Sequence, residues 1–372
     1  MRILHISAGI GRSNGVMSVI LNYARYMPPD IRFDVMYFVQ TKDDRQAELE
    51  ELGGKAIKIA PPGLHSFFHD DVDDFLAAHR GEYSAIHLHL PYLASVFAPK
   101  ARHAGIRRLI AHCHTSRFSL ERKGWRNQFL NIPTKLLAND LLACSRDAGN
   151  VWYGKRAVSR GRVIVLPNAI DCRQYRYDPA ARRKIRAELG IEGHFVAGHV
   201  GTLSTPKNHR FLLQIFSELY QRRPDAVLLL VGEGVLRGQL AAQAEAAGFR
   251  DQVFFLGDRN DVPQLLQAMD AFFFPSLYEG LGIAAIEAQA AGLPTIVSDR
   301  VPCEVCMTEC SKRLPLEAGP SVWADAALKL ADSERRDGAV RVAGAGFGLQ
   351  NSASWLAAFY KNLRETEHDT YS

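Results

Sequence analysis

Two glutamates, a histidine and a lysine carry most of the chemistry this sequence offers. Glu279 and Glu287 stand eight residues apart in Phe272–Asp299, FFFPSLYEGLGIAAIEAQAAGLPTIVSD. The apolar run Ala271–Phe274 stops at Pro275 and the Gly-bearing turn Tyr278–Gly282 follows; Ile283–Ala291 then reads as a helix ended by Gly292, and Thr295–Ser298 as a second buried strand. This order puts the turn at the carboxyl end of a parallel strand, where open α/β sheets bind ligands. Carboxylates accept hydrogen bonds from vicinal hydroxyls. Backbone N–H groups of Gly280, Leu281 and Gly282 at a helix start, with the helix dipole behind them, favour phosphate. Vicinal hydroxyls plus phosphate is the chemistry of a nucleotide sugar.

The other two groups sit in comparable places. His114 falls just past the strand Ile106–His112, and Lys207 precedes a helix at Phe211–Arg222, where it can offer a point charge to phosphate. Strands alternate with helices along the whole chain. Two Gly-rich turns, Gly9–Gly15 and Gly201–Asn208, each follow a buried strand, Arg2–Ala8 and Phe195–Val200. The expected class is α/β: two doubly wound Rossmann-like domains facing across a cleft. Their expected boundaries are 1–170, joined by a returning C-terminal helix 353–372, and 171–352, with Pro167-Asn168-Ala169-Ile170-Asp171 as the hinge. The stretch 300–319 is assigned by no motif.

The spacing Glu279-x7-Glu287 inside PSLYEGLGIAAIEAQAAGLP resembles the signature of the retaining GT-B glycosyltransferases of family GT4, the glycosyl transferases group 1, of the capsular and exopolysaccharide biosynthesis type. The stretch HCHTS is similar to that family's short His-containing segment, and the hinge to its Pro-Asn-Gly-Val-Asp linker with Ala169 in place of glycine. The resemblance implies a hexosyltransferase that moves a sugar from a nucleotide sugar, expected to be a UDP-hexose, to a lipid-linked saccharide. It gives Glu287 the ribose hydroxyls, Glu279 the donor-sugar hydroxyls, and Lys207 the leaving diphosphate. Gly280, Leu281 and Gly282 are expected beside the donor. The loop carrying Arg259 and Val262 would hold the base through main-chain groups, and His114 and Gly15 would orient the sugar. Catalytic parts are implied for His114, Lys207 and Glu279. Two departures stand out: Asn14 replaces the first glycine of the pair that Gly15 completes, and Thr202 stands where an arginine usually follows the glycine, leaving Arg12, Lys207 and backbone N–H groups to hold the diphosphate. No metal and no cofactor are expected. A sugar-nucleotide epimerase, converting donor without acceptor, and a catalytically silent assembly partner, binding donor without turnover, are the alternative functions.

Size and charge narrow the setting. The 372 residues suit two cores, and no apolar run nears the ~18 residues of a membrane span. The N-terminus reads as a strand rather than a signal peptide, so a cytoplasmic protein is expected. Residues 100–162 carry 14 Lys and Arg against 3 acids, with Phe118, Trp125 and Phe129 among them. Without a nucleic-acid motif, this block is expected to meet an anionic membrane at its inner face, and no nucleic acid. Cys303-x2-Cys306-x3-Cys310 lacks a fourth zinc ligand and reads as reduced thiols; His87-x-His89 lacks a third ligand at regular spacing and reads as two histidines at a strand end.

Overall fold

The structure, a computed structural model, describes residues 1–12, 14–115, 122–332 and 334–368. The chain forms two compact units, Met1–Ala169 with the segment from Leu349, and Ile170–Gly348. The first holds seven strands: β1 (Arg2–Gly9), β2 (Arg32–Val39), β3 (Ala56–Lys58), β4 (Tyr83–Leu88), β5 (Leu109–Cys113), β6 (Asp140–Ala143) and β7 (Val163–Val165). They pair in parallel in the order β3-β2-β1-β4-β5-β6-β7. Parallel pairing demands a crossover between neighbours and buries both faces, which is why β1 reads as near-continuous apolar residues, with Ile3, Leu4 and Ile6 fully buried. The order reverses between β1 and β4, where His5 lies opposite His87 in register.

The second unit repeats the plan with six parallel strands: β8 (Phe195–Val200), β9 (Ala226–Val231), β10 (Val253–Gly257), β11 (Ala271–Phe274), β12 (Thr295–Ser298) and β13 (Ser311–Leu314), in the order β10-β9-β8-β11-β12-β13. Here the order reverses between β8 and β11, so the turns after these two strands flank the place where such sheets bind ligands. Ala197, Leu228, Leu230, Phe273 and Ile296 turn one face of the sheet onto Phe216, Leu219 and Trp323, from helices at His209–Arg222 and Pro320–Ala331. Each of the larger side chains here stabilises the fold by roughly 1.5–3 kcal/mol on burial. Gly198, in the middle of β8, is required because a Cβ there would lie 2.1 Å from the Met269 sulfur.

Both sheets and the α/β alternation agree with the expected fold class. Strand β13 falls in the unassigned stretch 300–319. Its sequence SKRL is an edge strand with two exposed basic residues and one buried apolar one, so it offers no period to read. The last helix, Leu349–His368, starts four residues before the expected Ala353 and belongs to the first unit, where Tyr360 is fully buried.

Candidate active site

In the second unit the turns after β8 and β11 are stitched together. Leu277 N–H donates to the Pro206 carbonyl at 2.8 Å and the Asn208 side-chain amide to the Pro275 carbonyl at 3.2 Å. Asn208 itself takes a left-handed conformation, φ 55°, which turns the chain into the helix at His209 and leaves Lys207 aimed back over the sheet end. Lys207 Nζ donates to Glu279 Oε1 at 2.7 Å and lies 4.9 Å over the Phe274 ring. Two residues that the sequence places 72 apart thus form one part-buried ion pair at the strand ends.

Gly282 is the pivot of the second turn. Its φ of 94° belongs to the region that favours glycine, and a Cβ would press on the Phe274 ring at 3.0 Å. The helix Ile283–Ala290 begins directly after it with no side-chain cap from Gly282, and the positive end of its dipole faces the turn. Gly280, Leu281 and Gly282 are buried along this turn. Glu287 sits at the fifth helical position, little more than one turn in. Its Oε1 accepts from the Tyr175 hydroxyl at 2.8 Å, and burial raises its carboxyl pKa while that hydrogen bond opposes the rise. Tyr175 had no signal in the sequence, since its partner is 112 residues away.

The remaining candidates of this unit occupy neighbouring turns. Arg259 forks onto Asp261, Nε to Oδ1 at 2.7 Å and Nη2 to Oδ2 at 2.6 Å, and Val262 opens the helix Val262–Ala268. The guanidinium is therefore committed to shaping its own turn. Thr202 is exposed. The cysteines at 303, 306 and 310 are free thiols and belong to no metal-ligating cluster among the described residues.

In the first unit Gly15 opens the helix Gly15–Tyr26, and nothing lies within 4 Å of a Cβ added there. Asn14, at the position of the missing glycine, caps this helix. Its Oδ1 accepts from Val16 N–H at 3.0 Å and Met17 N–H at 3.3 Å, while Nδ2 donates to the Gly9 carbonyl at 2.7 Å. The departure from the glycine pair thus has a local use. Arg12, expected as a spare phosphate ligand, is tied to Asp43 at 2.7 Å.

His114 follows β5 as expected, and both of its ring nitrogens have protein partners: Nδ1 meets Asn168 Oδ1 at 3.1 Å and Nε2 meets His89 Nδ1 at 2.7 Å. The chain continues inward, His89 Nε2 to His5 Nδ1 at 2.9 Å, and beside it Tyr360 OH, His87 and His112 are linked at 2.7 and 3.2 Å. Burial lowers all five imidazole pKa values, that of His5 to about 3 and that of His114 to about 4, so the cluster is neutral at pH 7. Judging His87 and His89 by local ligand spacing missed this. Their neighbours come from the strands on either side, β1 and β5. Ser116 and Phe118 lie outside the described residues.

Strand order, glycine turns and a Lys–Glu pair over a helix start define a GT-B glycosyltransferase. Comparison with known proteins agrees: residues 13–174 match the Glycosyltransferase Family 4 model and residues 181–313 the Glycosyl transferases group 1 model. The chain belongs to this glycosyltransferase family. It is 30% identical, over 99% of its length and 98% of the other's, to a Bacillus subtilis protein named as a glycosyltransferase, EpsF. It is 29% identical over 59% of its length, and 58% of the other's, to the Escherichia coli UDP-Gal:alpha-D-GlcNAc-diphosphoundecaprenol alpha-1,3-galactosyltransferase. Among solved structures, Anabaena HepE in complex with UDP and glucose shares the fold, with TM-score 0.75, 22% identity and 99% of each chain covered.

Proposed function

We propose that this glycosyltransferase acts with retention, moving a hexosyl unit from a UDP-sugar to a lipid-linked saccharide of a polysaccharide pathway. The observation that carries the donor half is the Lys207–Glu279 pair beside an uncapped helix start, with the Glu287 carboxylate on that same helix. Hydroxyls meet carboxylates here, and phosphate meets a cation and a helix dipole. Lys207 neutralises charge on the leaving diphosphate, Glu279 holds sugar hydroxyls and Glu287 the ribose. His114 and the Gly15 turn orient the sugar; with both ring nitrogens of His114 occupied, the shape and position of the imidazole matter more than proton transfer. The transfer itself needs no metal ion or cofactor in this reading. Support for the donor and acceptor comes from the two relatives whose names carry UDP or a diphosphoundecaprenol sugar.

The division of roles is tested by calorimetry. Glu287→Gln is expected to weaken UDP by about tenfold, since a neutral amide loses charge-assisted bonds of roughly 1.5–3 kcal/mol, while Glu279→Gln spares UDP and weakens the intact donor. Equal loss of UDP binding in both variants would contradict it.

The acceptor side rests on the basic block 100–162. Within it Trp125, Phe129, Ile132 and Leu136 recur at spacings of four, three and four and are 74%, 73%, 64% and 85% exposed, with Arg126 and Lys135 exposed beside them. No described helix is long and apolar enough to cross a membrane. We infer a cytoplasmic enzyme docked peripherally at the inner membrane face: apolar side chains enter the headgroup region, and each cation near the surface adds ~1 kcal/mol. Co-sedimentation with vesicles should require anionic lipid, fall steeply between about 0.05 and 0.5 M salt, and be lost in Trp125→Glu/Phe129→Glu. Binding indifferent to lipid charge, salt and these substitutions would sink the idea.

A further inference from the structure

The histidines of the first unit are more than a hydrogen-bonded stack. His5 lies within β1, His87 near the end of the neighbouring β4 and His89 just after it, and one nitrogen of each lies within 4.8 Å of the others. They adjoin a cavity of about 10 Å³, walled also by His112, Tyr23 and apolar side chains such as Phe33 and Leu356. Two buried ring nitrogens in this wall, His5 Nε2 and His112 Nε2, have no hydrogen-bond partner; the Leu166 carbonyl influences the His112 ring without forming a bond of normal geometry. Buried polar atoms are nearly always paired, so the unpaired His5 Nε2, beside a cavity whose open surface is apolar, points to a partner that binds the imidazoles themselves.

We propose that His5, His87 and His89 form a buried binding site for a first-row transition-metal ion of the zinc type. Imidazole nitrogen is a suitable donor for such ions, and three histidines plus one solvent-derived ligand is an established four-coordinate set. A solvent-derived fourth ligand, as hydroxide, would offset part of the ion's charge among neutral rings. The distances nearly suffice. With ligand atoms no more than 4.8 Å apart, an ion at their centre stands at most ~2.8 Å from each, so rings moving inward by ~0.7 Å reach the 2.0–2.1 Å of a Zn–N bond. The outer shell is also present: His89 has His114 and His87 has Tyr360 on a second nitrogen, the arrangement that orients ligating imidazoles. Nothing in this inference rests on the donor-sugar assignments.

The test is cobalt(II) added to EDTA-treated full-length protein at neutral pH, followed by gel filtration. The expected result is one equivalent retained, with the visible absorption of four-coordinate cobalt, displaced by zinc, and a raised melting temperature. His5→Gln and His87→Gln should abolish uptake, while His69→Gln, on an exposed histidine elsewhere in the unit, should retain it. Should a buried variant fail to melt cooperatively, nitrogen-15 spectra of histidine-labelled wild type decide: zinc must shift the ring nitrogens of His5, His87 and His89. A wild type that retains no cobalt or zinc, uptake that survives His5→Gln, or shifts confined to exposed histidines such as His69 and His103 would overturn the proposal.

Discussion

Acidifying the metal-free protein from about pH 7.5 to 5.5 is expected to remove roughly 5 kcal/mol of stability from the first unit. His5, His87, His89 and His112 are each at least 95% buried, and burial depresses their pKa values far below 6.5. Between 6.5 and those depressed values the unfolded chain binds protons that the folded chain refuses. Stability is therefore complete above about pH 6.5 and is lost as the pH falls, each histidine contributing ~1.4 kcal/mol one unit below its unfolded pKa. Four such groups approach the whole of a typical folding free energy. In the second unit His199 and His209, the latter lowered to about 4, add the same trend on a smaller scale. Thermal melts from pH 8 to 5 check this, and a melting temperature flat across pH 6.5–5.5 would show that the cluster accepts protons without unfolding.

Lys207→Ala is expected to cut turnover by a factor of about 10²–10³, the scale for losing one preorganised group that stabilises developing charge. The ammonium is held by Glu279 at 2.7 Å and by the Phe274 face, so its position is set before any ligand arrives. Lys207→Arg should restore little, because the guanidinium fork does not match a site shaped for a point charge against one carboxylate oxygen. A steady-state assay with a UDP-sugar reads the effect. Activity within threefold of wild type in Lys207→Ala would remove the lysine from the transition state.

Much of this arrangement was legible in the residues because it is local. Phe195–Val200, Ala271–Phe274 and Thr295–Ser298 are short apolar runs bounded by Gly, Pro or polar turns, and the strands occupy those same bounds. Lys207 and Glu279 were each placed at a strand's carboxyl end by the same reasoning, although their contact was not foreseen. Illegible were the links that depend on which strands become neighbours. Tyr175 on Glu287, Asn168 on His114, and Tyr360 on His87 join residues 112, 54 and 273 apart, and only the packing of helices and turns on the sheets brings them together. The histidine cluster was hidden for a related reason: a search at fixed spacing finds groups built on one element, whereas these histidines are spread over β1, β4 and the turn that follows it.

In the proposed function the second unit binds a nucleoside diphosphate sugar through the turns after β8 and β11. Thermal unfolding of the full chain with UDP, UDP-hexoses, GDP and GDP-hexoses tests it most directly, since a ligand at ~100 times its Kd adds ~2.7 kcal/mol to the stability of the unit that binds it. The expected result is a rise with UDP and a larger one with at least one UDP-hexose, with the increment for the hexose lost in Glu279→Gln. A melting curve that no nucleoside diphosphate or nucleotide sugar moves would contradict the assignment.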